Sequence, residues 1–518
     1  MHAAAPQRWR GVAQPYPGAI AAQLARHGRP RVNLRALTYR LTLLGMTVLL
    51  MVVLLRLQVL IGGVAPEPKT DWQYHVRWLE VLWLAPLPLA VTLWFGWFLF
   101  AETSQRPPDA RPVPLMPPAL GCDMPTPARL VFRFCTRGQN SDVLRESVRS
   151  IHAAFASYTE ATGPYTIEVV TEEWLDLDGL AEVYTVPTAY ETEHHSRYKA
   201  RALTYLQQAT RPSPADWHVY LDEESTIDAP LIAGIYDFIA RARERALRHG
   251  WRSPHLIGQG GILYEGGSPF FRGADAIRTG DDLGRFRLQY ALGAPIFGVH
   301  GSYLVTRGSE ERALSFDVGA ANSITEDAAW ALRAWARGWR FGWVRGYLHE
   351  QPPQRTMDFV RQRARWLSGI RKVVRDRAVP RRYRLALALF TLLWQISVLP
   401  LGIALIAVAT RTQPFTWARI PADFAWVTYL LAYLHGLDAQ ARFGRGHAAR
   451  TGAARLARQA LEWCLALGLF WYALLEVAGV FYSLRRAQGF FVIQKPRLTK
   501  TAATRPPARD VAREGTAQ

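Results

Sequence analysis

The sequence predicts an α/β domain with a mostly parallel sheet, inserted between N-terminal and C-terminal groups of transmembrane helices. Three observations carry this reading. Hydrophobic residues make up 49% of the chain and concentrate in long runs near its two ends, several near the ~20 residues that cross a bilayer. The middle alternates short β-rich runs with helical segments, the pattern of strands joined by crossover helices. Those strands end in polar residues, where ligands bind in sheets of this kind.

Taken in order, residues 1–40 form a basic N-terminal segment rich in Ala, Pro and Arg, and read as disordered. Residues 41–100 hold two spans. These are Leu41 to Gly63, interrupted only by Arg56, and Leu79 to Phe100, with Trp83, Trp94 and Trp97 as an aromatic belt. Neither reads as a cleaved signal peptide, because the first starts late and a second span follows. Residues 101–128 are a proline-rich linker. Residues 129–382 form the α/β domain. Residues 383–484 carry further apolar segments: Leu385 to Ala409, Phe424 to His435 (the weakest), and Leu461 to Leu484. Residues 485–518 are a basic tail.

The positive charges orient the spans. Arg26, Arg29, Arg31, Arg35 and Arg40 put the N-terminal segment in the cytosol, and the mixed linker Val64 to Glu80 outside. The α/β domain then returns to the cytosol of a bacterial-type plasma membrane. Arg442 to Arg458 and the tail, with Arg485, Arg486, Lys495 and Arg497, also read as cytosolic. Five crossings are incompatible with that. An even number is expected, four or six, with a break near Pro400 or an incomplete last crossing.

The net charge of +20, from 62 basic and 42 acidic residues, does not imply nucleic acid, which long apolar runs fit poorly. Basic residues flanking spans attract anionic lipid, and those in the middle suit phosphates. Cys122, Cys135 and Cys464 lie far apart without metal-ligand spacing, as small hydrophobes in a reducing compartment do.

In the domain, Leu130 to Phe134 reads as a strand ending in Thr136-Arg137-Gly138, with a helix from Asp142. Tyr165 to Val170 ends in Thr171-Glu172-Glu173. Val183 to Val186 is a third strand. A helix from Tyr198 to Gln208 leads into Trp217 to Leu221, which ends in Asp222-Glu223-Glu224. Carboxylates at i and i+2 past a buried strand suit a divalent metal bridging a diphosphate, although a solvated acidic turn has the same composition. Thr325-Glu326-Asp327 opens a helix. Capping by Ser323 or Thr325 and the helix dipole account for it, and so does a general base for a hydroxyl. Gln362-Arg363-Ala364-Arg365-Trp366 offers a planar fork for phosphate and a flat ring for a sugar, or a basic amphipathic helix on the membrane surface. Arg56, Gln395 and Glu476 are polar positions inside apolar runs, where polar groups are costly.

The order of these motifs resembles the membrane members of glycosyltransferase family 2, among them the cellulose and hyaluronan synthases. It is closest to the egghead-type β-1,4-mannosyltransferases. The likeness covers about Arg129 to Arg371, including Thr136-Arg137-Gly138, Lys199 to Leu203, Leu221 to Glu224, Gly301-Ser302-Tyr303, Glu326-Asp327 and Gln362 to Trp366. It implies a GT-A type, Rossmann-like domain and inverting transfer from a nucleotide sugar. It places Thr136, Glu172, Asp222, Gln362 and Arg365 on the donor. Asp222 and Glu224 hold Mg or Mn, and Asp327 is the catalytic base. Gly301, Ser302, Tyr303, Glu326 and Trp366 lie on the acceptor side. Phe490-Phe491-Val492 with Lys495 resembles the Phe-x-Val loop that covers the nucleotide in the synthases, with Ile493 where they have Thr. The preferred donor is GDP-mannose and the acceptor lipid-linked or glycan. A processive β-glycan synthase using UDP-glucose or a related UDP-sugar is the alternative.

Overall fold

The computed structural model describes residues 34–62, 70–104, 129–158, 163–249, 255–410, 412, 415–445 and 452–485. Most of the two basic tails, the linker and the Phe-x-Val segment lie outside these residues.

The α/β domain is built on a seven-stranded sheet in the order β3-β2-β1-β4-β6-β5-β7. Its strands are β1 (Leu130–Thr136), β2 (Tyr165–Thr171), β3 (Glu182–Thr185), β4 (Trp217–Asp222), β5 (Leu256–Tyr264), β6 (Leu304–Arg307) and β7 (Arg340–Glu350). The run β3-β2-β1-β4 is parallel throughout. β6 alone runs against its neighbours β4 and β5, and β5 pairs parallel with β7. The sheet is therefore mostly parallel, as the alternating pattern predicts. β1, β2 and β4 are rich in aromatic and β-branched residues and buried along nearly their whole length, as strands covered on both faces must be. In register, Thr136 sits beside Thr171 and Cys135 beside Asp222, so three polar strand ends form one rim.

The helices number α1 (Leu34–Gly62), α2 (Asp71–Leu79), α3 (Leu87–Ser104), α4 (Ser141–Ser157), α5 (Tyr198–Thr210), α6 (Ala229–His249), α7 (Pro269–Asp281) and α8 (Arg287–Ala291). They continue with α9 (Gly308–Ala313), α10 (Glu326–Ala336), α11 (Thr356–Arg375), α12 (Arg381–Ile396), α13 (Leu399–Thr410), α14 (Thr416–Phe443), α15 (Gly452–Cys464) and α16 (Leu469–Tyr482). A five-residue π turn, Asp282–Phe286, joins α7 to α8. The crossover helix α4 buries Val143, Leu144, Val148, Ile151 and Phe155 at helical spacing against the sheet. Arg133 bonds Glu168 (2.7 Å), Glu311 and Thr210 (2.8 Å), tying β1 to β2, α9 and α5 through one buried cation and two carboxylates.

Among the described residues, four stretches are long and apolar enough to cross a membrane: Ala36–Leu60, Asp71–Phe100, Arg381–Ala407 and Gly452–Tyr482. They flank the α/β domain in pairs, an even number as the charge pattern requires. The break expected near Pro400 separates α12 from α13. The weak segment around Phe424 lies in α14, which is not one of the four. Instead α14 packs against the α/β domain, where Ala276 and Gly280 on α7 face Ala432 and Gly436 on α14. A Cβ on Gly280 would stand 2.0 Å from the carbonyl oxygen of Ala432, and one on Gly436 1.8 Å from that of Ala276. Small residues four apart on both helices let the backbones touch. Trp97 of α3 locks the junction, donating to the Gly280 carbonyl (2.8 Å) and stacking on His435 at 4.4 Å. Glu476 is satisfied by a helix–helix contact, accepting from Arg363 (2.8 Å). Arg56, another polar position inside an apolar run, is exposed.

Candidate active site

A cavity of about 520 Å³ opens beyond the rim of β1, β2 and β4. Thr136, Glu172, Asp222, Glu224, Gly301, Ser302, Glu326, Asp327, Gln362, Arg365 and Trp366 all line it. Motifs from opposite ends of the domain, Thr136 and Trp366 among them, thus share one wall. Tyr303 does not join them. Its ring is buried in the core under the sheet and its hydroxyl donates to the Arg345 carbonyl (2.9 Å). Its neighbours Gly301 and Ser302 line the cavity.

At the donor end, Thr136 donates to Glu223 (2.6 Å), and Glu172 is flanked by Arg137 (3.2 Å) and Arg201 (3.5 Å). The middle residue of the acidic triplet is therefore taken up by the β1 loop. Burial, then the neighbouring Glu224, pushes the Glu223 carboxyl up. Asp222 meets Lys199 of α5, whose ammonium donates to Asp222 Oδ1 and to the Gly301 carbonyl (2.9 Å). Burial alone would lower the Lys199 ammonium, but Asp222 and Glu326 outweigh it and hold the group above its ordinary value.

Asp327 stands at the first turn of α10. Its Oδ1 accepts from the Ala328 amide (2.8 Å), and a Cβ on Gly301 would lie 3.1 Å from Oδ2. The glycine thus keeps that oxygen approachable. Thr325 makes no side-chain cap bond, and Ser323 is occupied by the Arg197 amide (2.9 Å) and the Gly319 carbonyl (2.9 Å). The capping account of this acidic pair accordingly fails. Burial first and then Asp327 push the Glu326 carboxyl up to about 8, and burial raises Asp327 as well. Two buried carboxyls side by side resist losing both protons.

Lys199, Arg278, His300 and Glu350 are among the residues that line the cavity without having been assigned a role from the sequence. His300 Nε2 bonds Asp282 (2.6 Å), and its ring stacks on Phe286. Burial would lower this imidazole, but Asp282 outweighs that and raises it. Glu350 accepts from Ser302, and burial, then Asp222 and Glu224, pushes it up to about 7. Lys199 sits in a recognisable block of sequence. The other three are isolated positions brought in by the sheet order.

Among the described residues, no group of three His, Cys, Asp or Glu side chains is arranged to hold a metal ion. Asp222 and Glu224 still fit the mode in which Mg²⁺ is held by one or two carboxylates, with substrate phosphates completing the shell.

Residues 217–437 match the family described as "Glycosyl transferase family group 2". The matched residues, which run from β4 into α14, are similar to that family. The "Beta-1,4-mannosyltransferase egh" of Drosophila melanogaster is 32% identical over 274 residues, which are 51% of this chain and 57% of that protein. The "Beta-1,4-mannosyltransferase bre-3" of Caenorhabditis elegans is 33% identical over 272 residues, with the same shares. The chain thus spans little more than half the length of the curated relatives it matches. S. aureus TarS 1–349 aligns over 66% of the chain and 91% of its own, at 9% identity and a TM-score of 0.28. Four apolar helices of membrane-crossing length flank the α/β domain, and the acidic strand end, the Glu326-Asp327 pair and the Gln362–Trp366 helix line one cavity.

Proposed function

We propose that this chain is an inverting membrane enzyme that transfers a sugar, preferably mannose from GDP-mannose, to a lipid-borne acceptor through a β-1,4 bond. The observation that carries the acceptor class is the shape of the cavity. From the carboxylates at the strand ends it continues between the membrane helices, where Leu89, Leu93, Phe390, Trp394, Leu401 and Trp426 line it. A polar head joined to an apolar sleeve fits an amphiphile whose sugar meets the nucleotide while its tail stays among the helices. The likeness to two named β-1,4-mannosyltransferases supports mannose as the donor sugar and a 1,4 linkage.

The reaction in this reading is one in-line displacement. Asp327 Oδ2 takes the proton of the acceptor hydroxyl, the freed oxygen attacks the anomeric carbon, and the bond to the nucleoside diphosphate breaks on the opposite face. An α-linked donor gives a β-linked product. Arg365 and Gln362 hold the diphosphate, and Thr136 and Glu172 the nucleoside. Mg²⁺ or Mn²⁺, bound at Asp222 and Glu224, would supply charge neutralisation for the leaving diphosphate. Lys199 draws Asp222 toward the loop that carries Gly301. The cytosol is the side on which such donors are made.

The test uses the full chain in detergent with Mg²⁺ or Mn²⁺, a panel of nucleotide sugars, and glycolipid acceptors. Nucleoside diphosphate release from GDP-mannose that depends on glycolipid and is abolished in Asp222→Ala supports the reading. Release from UDP-glucose instead, with a long polymer as product, replaces it by a processive synthase. Asp327→Asn should still bind donor and lose 10²–10⁴-fold in turnover, the usual contribution of a positioned base.

A further inference from the structure

Arg278 lies two turns into α7, on the cavity wall between the strand ends and the membrane helices. Its guanidinium carbon stands 4.3 Å from the centre of the Tyr264 ring and 4.6 Å from that of Trp366. Those ring contacts fix where the group sits and leave its N–H groups unspent. Among the described residues the guanidinium makes no hydrogen bond, and its one ion-pair neighbour, Asp275 Oδ2, is 4.0 Å away. Asp275 is itself committed, since its other oxygen bonds Arg363. The Arg278 side chain is only 17% exposed, so water cannot surround it. A planar fork of five donors held in a half-closed cavity without an acceptor is an incomplete arrangement. By contrast, the buried Arg363 nearby has Glu476, Asp275 and Gln362 as partners. The difference lies in the ligand side of the cavity, which Arg278 faces and Arg363 does not need.

We propose that Arg278 is a phosphate-binding residue of this cavity, its fork taking oxygens of a phosphate or diphosphate on a bound ligand. Guanidinium and phosphate match in planar, bidentate geometry. The inference rests on the nucleotide-sugar reading given above and adds to it a contact outside the Gln362–Trp366 motif. It also gives Trp366 a second task, holding this guanidinium in place. Two sources supply the same chemistry. One is the diphosphate of the donor, and the other a phosphate linking sugar to lipid in the acceptor.

The experiment is calorimetric titration of GDP and UDP into the full chain in detergent, for the unaltered protein and for Arg278→Gln. It is followed by acceptor kinetics with a neutral glycolipid and with a sugar phospholipid. Nucleoside diphosphate binding at least tenfold weaker in Arg278→Gln assigns the residue to the donor. Unchanged nucleotide binding with a KM raised at least tenfold for the phosphate-bearing acceptor alone assigns it to the acceptor. If both affinities match the unaltered protein, the proposal is wrong. Arg278→Met keeps an apolar stem against both rings and carries the same test should the Gln variant aggregate. Failure of the unaltered protein to bind either nucleotide would overturn the nucleotide-sugar reading itself, which keeps the two outcomes apart.

Discussion

Replacing Gly436 by alanine should loosen the joint between the catalytic domain and the membrane helices. The added Cβ would lie 1.8 Å from the Ala276 carbonyl oxygen, about 1.6 Å short of the 3.4 Å at which ordinary contact begins. The obstacle is backbone, so no side-chain rotation relieves it, and α7 and α14 must part. Overpacking of this kind costs about 1–3 kcal/mol. Alanine is the better helix former by about 1 kcal/mol, which offsets part of the cost. The reciprocal contact at Gly280 and Ala432 is disturbed by the same separation, and Trp97 loses its acceptor geometry. The net loss should therefore reach up to about 2 kcal/mol. The assay is the midpoint of thermal inactivation in detergent, with Gly45→Ala as the reference. A Cβ on Gly45 meets nothing within 4 Å, so that variant should hold its stability or gain from propensity alone. Equal midpoints for the two variants would refute the claim that this contact is tight.

Two further predictions test the charges. Asp327 must be ionised to act, and both it and Glu326 are raised, so kcat/KM should decline with falling pH already above the usual carboxylate range. Glu326, held up to about 8, already carries its proton where Asp327 titrates, so Glu326→Gln should leave that acid limb in place, and a limb that moves to lower pH in the pH–rate profile would refute this order of titration. Glu476→Ala leaves the buried Arg363 with Asp275 and Gln362 only. It should destabilise by about 3 kcal/mol, the low end for a broken buried pair, whereas Glu476→Gln, which still accepts a hydrogen bond, should cost less in the same unfolding assay.

Much of the fold was legible because its signals are local. β1, β2 and β4 are unbroken runs of β-formers closed by polar residues, and α10 follows an acidic start. The four spans stand out by length alone. What escaped is tertiary. β6 is four residues long and its antiparallel direction is set by pairing with β4 and β5, which no local pattern encodes. α14 reads as a weak span because its apolar residues are diluted by Asp423, Asp438 and Arg442. Packing against α7 and α3 covers the apolar face that lipid would otherwise cover. Tyr303 was placed with its neighbours Gly301 and Ser302, yet one step along the chain near a strand reverses the facing of a side chain. Arg278 and His300 belong to no recognisable spacing, and only the fold brings them to the carboxylates.

In the reaction proposed above, the Lys199 ammonium would tie the two halves together, since it joins the Asp222 carboxylate to the Gly301 carbonyl. A cation that claims Asp222, or a diphosphate that claims the ammonium, competes for that tie, and the Gly301 carbonyl is released as it slackens. Gly301 is also the residue that leaves Asp327 approachable. Arrival of the first substrate and readiness for the second are thereby linked through one side chain, and the order of substrate addition becomes a property of a single pair of hydrogen bonds.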